Sequence, residues 1–330
     1  MHVTKRLVLS AVAVLSGVTA ACGGTSDGGT RTSTTASTTA GATTSTTVTR
    51  TGSAGCGRPA DVPTVKSGSP GDVEQTLNVG GRQRIYRLGV PPSYDPDRPT
   101  PLVVNLHGSG SNAIEASVYG RVDQEGSERN MITVAPQAIG GEWQLPAEGS
   151  DRDFLLGLVE DMKARYCIDV GSVHMIGMSL GAWKAAVTAC AAPDVFASAV
   201  LVTVEVHPNG CPPIPVVAFH GTADSTVPYG EGSGMKFPDS PNAGLPGVHV
   251  NIANWAQGNG CEAEPDKERI GDDVEKWTYR GCAADVVLHT IVGGGHTWPG
   301  ADIDVGPTTQ TIDATELGFD WFEAHRRTSG

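Results

Sequence analysis

The run Val173-His174-Met175-Ile176-Gly177-Met178-Ser179-Leu180-Gly181-Ala182-Trp183-Lys184-Ala185-Ala186 constrains this chain more than any other stretch. Apolar and β-branched residues pass through Gly-x-Ser-x-Gly directly into helix formers, the written form of a sharp strand-to-helix corner. At such a corner the serine is pushed outward. The glycines two before and two after it let neighbouring backbones approach closely enough to leave its hydroxyl exposed. A serine hydroxyl is a poor nucleophile until a base takes its proton, and the base needs a third group to fix its tautomer and stabilise its charge. The corner therefore predicts a histidine and a carboxylate at later strand ends.

Two downstream runs supply them. Val216-Val217-Ala218-Phe219-His220-Gly221-Thr222-Ala223-Asp224 reads as an apolar strand entering a turn that presents Asp224. Leu288-His289-Thr290-Ile291-Val292-Gly293-Gly294-Gly295-His296 reads as a strand entering a glycine turn that presents His296. The order Ser179, Asp224, His296 matches the nucleophile–acid–base order of a strand-corner serine triad. Asp224 also suits an ordinary turn, where aspartate bonds to nearby amides. Among the other histidines, His174 and His289 fall inside strands and read as packing. His107 and His220 each precede a glycine at a strand end and are expected to line or brace the site. The oxyanion of acyl transfer needs two backbone donors; Leu180, first in the elbow helix, and Ser109, after Leu106-His107-Gly108, are the candidates.

Around these landmarks strand-like and helix-like segments alternate from Cys56 onward. The pattern predicts one α/β domain over 56–330, with a mostly parallel central sheet and helices on both faces. Strands are expected at 83–90, 102–106, 131–135, 197–204 and 214–219, and as a late pair at 276–279 and 286–292. Helices are expected at 153–166, with Asp151 as cap, after the elbow, at 248–257, and from Asp313 to near Arg326. Segments 112–119 and 122–129 are helical or loop. The Gly- and Pro-rich stretch 229–247 is either a cover over the site or a surface insertion.

The N-terminal sixth has a different character. Lys5 and Arg6 precede an apolar run, Leu7 to Val18, that is short for a membrane span, and small residues Thr19-Ala20-Ala21 follow, so 1–21 read as a signal peptide. Residues 22–55 are rich in Thr, Ser, Gly and Ala, with little to bury, and are expected to form a flexible stalk. The formal charge of −13 becomes two units more negative without Lys5 and Arg6. With no basic run, this argues against nucleic acid or an anionic membrane surface as partner. Of seven cysteines, Cys22 adjoins the cleavage site; Cys56, Cys167, Cys190, Cys211, Cys261 and Cys282 imply disulfides in a secreted chain. No Cys-x-x-Cys spacing points to a metal.

The motifs now converge on a resemblance. His107-Gly108, Gly177-Met-Ser-Leu-Gly181, His220-Gly-Thr-Ala-Asp224 with Val227-Pro-Tyr229, and Gly293-Gly-Gly-His-Thr-Trp-Pro-Gly300 resemble the secreted polyhydroxybutyrate-depolymerase and feruloyl-esterase-like group, carbohydrate esterase family 1 of the α/β-hydrolase superfamily. The resemblance implies an α/β-hydrolase serine esterase with no metal or organic cofactor. Its substrates would be feruloyl or acetyl esters of polysaccharide, or short hydroxyalkanoate polyesters. It further implies the pairs Cys190–Cys211 and Cys261–Cys282, which leave Cys56 with Cys167. Separately, Thr19-Ala20-Ala21-Cys22 resembles a bacterial lipobox. That implies lipid anchoring at Cys22 outside the cytoplasm, with simple secretion as the alternative.

Leu180 and Ala182 depart from the group's usual elbow, and Ser109-Gly110-Ser111 from its usual oxyanion loop, so substrate specificity is expected to be decided there. Trp298, Trp143 and His107 are the expected substrate-binding residues, the two tryptophans as an aromatic wall or as packing. Two other functions remain compatible with the sequence. An envelope acyltransferase would use the same triad and would reveal itself by transfer to a sugar acceptor. A non-catalytic surface binding protein would show no turnover.

Overall fold

The computed structural model describes residues 50–65, 72–230 and 246–327. The expected signal peptide, Cys22, the stalk up to residue 49 and most of the Gly/Pro-rich stretch lie outside the described residues.

In chain order the elements are β1 (Val73–Val79), β2 (Arg82–Gly89), β3 (Thr100–Leu106), α1 (Ala113–Tyr119), α2 (Val122–Glu128), β4 (Ile132–Pro136), α3 (Ser150–Arg165) and β5 (Ile168–Met178). They continue with α4 (Leu180–Ala191), β6 (Ser198–Val202), β7 (Val216–Gly221), α5 (Val248–Gly258), β8 (Asp266–Ile270), β9 (Val274–Thr278), β10 (Val286–Ile291) and α6 (Ala314–Ala324). All strands join one sheet in the order β1-β2-β4-β3-β5-β6-β7-β10-β9-β8. The run from β4 to β10 is parallel, and antiparallel strands complete both edges.

Burial on both faces explains why the central strands read as unbroken apolar runs. Leu102, Val104 and Leu106 of β3 pack with Phe154, Leu158 and Met162 of α3 and with Ala182, Ala185 and Ala189 of α4. Val103 points the other way, into a second core with Val200, Val202, Phe219 and the α6 residues Phe319 and Phe322. The mostly parallel sheet with helices on both faces is as expected.

Several details differ from the sequence reading. Asp151 does not cap α3: the cap position is Gly149, and Asp151 lies inside the first turn. There it is buried against Arg84 at 2.8 Å and accepts the Gln144 amide, also at 2.8 Å. Asp313 does cap α6, accepting the amides of Thr315 and Glu316. Residues 52–55, placed at the end of the expected stalk, are hydrogen-bonded to the domain. Gly52 bridges to Asp169, the Ser53 amide donates to the Ile168 carbonyl at 2.9 Å, and the Ser53 hydroxyl to the Tyr166 carbonyl at 2.7 Å. This segment satisfies backbone groups at the start of β5, and Cys56 is disulfide-bonded to Cys167 beside it. The other bonded pairs are Cys190–Cys211 and Cys261–Cys282.

Candidate active site

β5 ends at Met178 and α4 begins at Leu180, leaving Ser179 alone on the corner with φ 57° and ψ −123°. That left-handed backbone is costly for a non-glycine residue and persists only where the surroundings enforce it. The enforcement is visible. A Cβ on Gly181 would lie 2.2 Å from the Leu106 carbonyl oxygen and 2.5 Å from that of His107, and one on Gly177 would lie 2.6 Å from the Gly181 carbonyl carbon. Strand and helix therefore touch through bare backbone on either side of the serine. Gly181→Ala is expected to cost about 3 kcal/mol or more of unfolding free energy, because the obstacle is backbone that cannot rotate away. Denaturant unfolding of the variant against wild type measures it.

Asp224 and His296 follow β7 and β10, parallel neighbours in the sheet, so their loops emerge side by side. His296 Nδ1 donates to Asp224 Oδ2 at 2.7 Å. Asp224 Oδ1 accepts the amides of Thr226 and Val227, each at 2.8 Å, which fixes the carboxylate. Burial opposes ionisation of Asp224, but hydrogen bonds from His220 and His296 outweigh it and hold the carboxyl well below its usual range. Ser179 and His296 line the same cavity, and no direct hydrogen bond joins them. Such contacts often close only with substrate in place.

The cavity has a volume of about 470 Å³. Ser109 lines it beside Ser179, and its hydroxyl donates to Glu142 at 2.5 Å. Leu180 is the first residue of α4, where backbone amides have no acceptor within the helix. A Cβ on Gly108 would lie 3.4 Å from the Ser179 Cβ, so the loop carrying Ser109 runs directly past the serine.

The expected substrate-binding residues fare differently. His107 borders the cavity, but both ring nitrogens are committed to backbone: Nε2 accepts the Ala138 amide at 3.1 Å and Nδ1 donates to the Gly108 carbonyl at 2.7 Å. Burial pushes its pKa down, in keeping with a neutral ring that braces the loop. Trp143 is buried behind His107, donating Nε1 to the His107 carbonyl at 2.9 Å, and is not part of the cavity wall. Trp298 does reach the wall, though it is buried and its Nε1 donates to Thr315 Oγ1 at 2.9 Å. Leu180 and Ala182 pack into the core and leave the cavity to other residues, so the departures at the elbow do not shape it.

The wall has an aliphatic rim that sequence reasoning missed. Ile114 and Val118 of α1 line the cavity together with Ile303 and Val305, and all four are exposed. They are four of the eight large hydrophobic residues exposed among the described residues. The i, i+4 spacing of Ile114 and Val118 was a readable signal of one helix face.

A second missed residue lies behind Asp224. Glu205, in the loop after β6, is buried, with its Oε2 2.7 Å from His220 Nδ1. His220 Nε2 stands 2.9 Å from the Val227 carbonyl and 3.4 Å from Asp224 Oδ2. Burial works against a charge on His220, but the nearby Glu205 carboxylate, together with hydrogen bonds to Asp224, Glu205 and the Val227 carbonyl, outweighs it, and the imidazole pKa is pushed up to about 10.

No family model matches the chain. NocK of Nocardia uniformis subsp. tsuyamanensis, whose name marks it provisionally as an esterase, is 28% identical over 280 residues, covering 74% of this chain and 80% of its own. Feruloyl esterase C of Emericella nidulans is 26% identical over 268 residues, covering 78% of this chain and 92% of its own. Among solved structures, an acetyl xylan esterase from Aspergillus awamori superposes with a TM-score of 0.55 at 16% identity, covering 76% of this chain and 99% of that one. The chain is thus a relative of feruloyl esterases and other esterases, built on the α/β-hydrolase fold.

Proposed function

We propose that this protein is an extracytoplasmic serine carboxylic-ester hydrolase that works through an acyl-enzyme. The observation that carries the reading is the strained Ser179 facing a cavity shared with His296, whose far nitrogen is held by Asp224 at 2.7 Å. In this reading His296 Nε2 takes the Ser179 proton as the oxygen attacks the ester carbonyl. The amides of Leu180 and Ser109 receive the oxyanion, and His296 returns the proton to the leaving alcohol. Water then repeats the cycle on the acyl-enzyme. Three disulfides favour an oxidising compartment, and a lipid anchor at Cys22 would hold the domain at the outer membrane face.

The relatives act on esters, and the aliphatic rim favours a substrate that extends beyond an acetyl group into an apolar or aryl acyl arm, such as a feruloyl or short hydroxyalkanoyl unit. Each added methylene buried there is worth about 0.8 kcal/mol. Steady-state kinetics on p-nitrophenyl acetate, p-nitrophenyl butyrate, methyl ferulate, acetylated xylan and polyhydroxybutyrate film test this. Ile303→Asp with Val305→Asp is expected to lower kcat/KM on p-nitrophenyl butyrate and methyl ferulate by about tenfold, mainly through KM. p-Nitrophenyl acetate should stay within about twofold. No turnover of any member of the panel would overturn the hydrolase reading.

A further inference from the structure

The Glu205–His220 contact places two titratable side chains in a fully buried position directly behind Asp224. A buried pair of this kind is rarely retained for stability alone, because desolvation offsets much of its attraction. Its hydrogen bonds restrict the protons. The Val227 carbonyl only accepts, so His220 Nε2 carries a hydrogen. Between Nδ1 and Glu205 Oε2 one proton is shared, and it lies either on the ring, giving an ion pair, or on the carboxyl, giving two neutral groups. Glu205 Oε1 accepts from Asn251 Nδ2 at 3.0 Å, and its backbone carbonyl accepts from Trp255 Nε1 at 2.9 Å, so α5 fixes the glutamate from the far side. With Glu205 and Asp224 both beside it, the His220 ring is held toward its protonated form, which selects the ion pair.

We propose that Glu205 and His220 are positioning residues of the active site, a buried carboxylate–imidazolium pair that keeps the Asp224 carboxylate ionised and aimed at His296. The inference rests on the serine-hydrolase reading above. The titratable groups around His220 are Glu205 after β6, Asp224 and Tyr229 after β7, His249 of α5 behind Tyr229, and His296 across Asp224. Tyr229 stays neutral through the working range, its phenol pushed up to about 12 by burial. In the proposed pair the cation next to Asp224 is the His220 ring, 3.4 Å from Oδ2, and it tempers the field that Asp224 exerts on His296.

Glu205→Gln isolates the charge. Its amide carbonyl can still accept from Asn251, while its NH2 donates to His220 Nδ1, which leaves a neutral ring with Nε2–H still bonded to Val227. The shape is kept and only the ion pair is lost. Without the cation, Asp224 favours protonated His296 more strongly, so the acid limb of the kcat/KM profile should move to higher pH by about one unit, with KM for p-nitrophenyl acetate unchanged. Glu205→Asp, which keeps the charge, should restore most of the shift.

Nitrogen-15 NMR of the histidine rings in the wild-type protein at pH 8 gives a readout independent of turnover. Both His220 nitrogens should be protonated, and only one in Glu205→Gln. A wild-type His220 with one protonated nitrogen, or an acid limb that does not move in Glu205→Gln, would overturn the proposal. Absence of esterase activity in the wild type would instead fail the hydrolase reading and leave the NMR result to judge the ion pair alone.

Discussion

Ser179→Ala is expected to lower kcat on p-nitrophenyl acetate by a factor on the order of 10⁵ to 10⁶, the scale seen when the nucleophile of a serine triad is removed. The loss is that large because no other hydroxyl shares the position. The Ser109 side chain lines the same cavity but is engaged by Glu142. The strained backbone at residue 179 adds a stability signature that is independent of the hydroxyl. Alanine inherits the left-handed φ of 57° with its Cβ in place, so Ser179→Ala should unfold at nearly the wild-type denaturant concentration. Ser179→Gly removes the Cβ and with it a penalty of about 1 to 3 kcal/mol, so it should be equally inactive yet more stable than Ser179→Ala. Thermal or denaturant melts of the two variants, run beside the kinetics, separate the chemical role from the conformational one. Comparable activity of Ser179→Ala and wild type would dismiss the acyl-enzyme.

What the sequence shows and hides follows from which interactions are local. The elbow, the Asp224 turn and the His296 turn are each written in one short run, because a strand that ends in a glycine turn carries its own signal. Their convergence follows from parallel strands whose ends lie on one side of the sheet. Edge strands are less readable. β8, Asp-Lys-Glu-Arg-Ile, is almost entirely charged and exposed, and only its pairing with β9 makes it a strand. β1 does alternate, with every second residue half-buried, but its polar half hides the pattern. Side-chain destinations are hidden most deeply. Trp143 and His107 sit next to the site in sequence logic yet turn inward to brace a loop. Glu205 lies in Thr203-Val-Glu-Val-His207, where nothing local distinguishes it from a surface glutamate. Only the folded sheet brings it behind His220.

Asp224→Asn is expected to reduce kcat by about 10⁴, and the hydrogen bonds around it explain why so conservative a change is so damaging. Oδ1 accepts two amides, from Thr226 and Val227, at 2.8 Å each. An asparagine must therefore keep its carbonyl oxygen there and place its NH2 where Oδ2 was. That nitrogen points a donor at His296 Nδ1, 2.7 Å from Oδ2 in the native site. To accept it, His296 must carry its proton on Nε2, the nitrogen that has to receive the Ser179 proton, so the base is held in the wrong tautomer. The same NH2 also meets His220 Nε2–H, which stands 3.4 Å from Oδ2. Two donors now face each other in a buried site, and the variant should lose about 1 to 3 kcal/mol of stability as well. Asp224→Glu keeps the acceptor but lengthens the side chain, so it should retain the tautomer and lose activity through geometry, less than asparagine does. The ratio of kcat in the two variants, measured on the same ester above pH 8, tests the tautomer argument. If Asp224→Asn equalled or exceeded Asp224→Glu, the orientation of His296 would not be what Asp224 supplies.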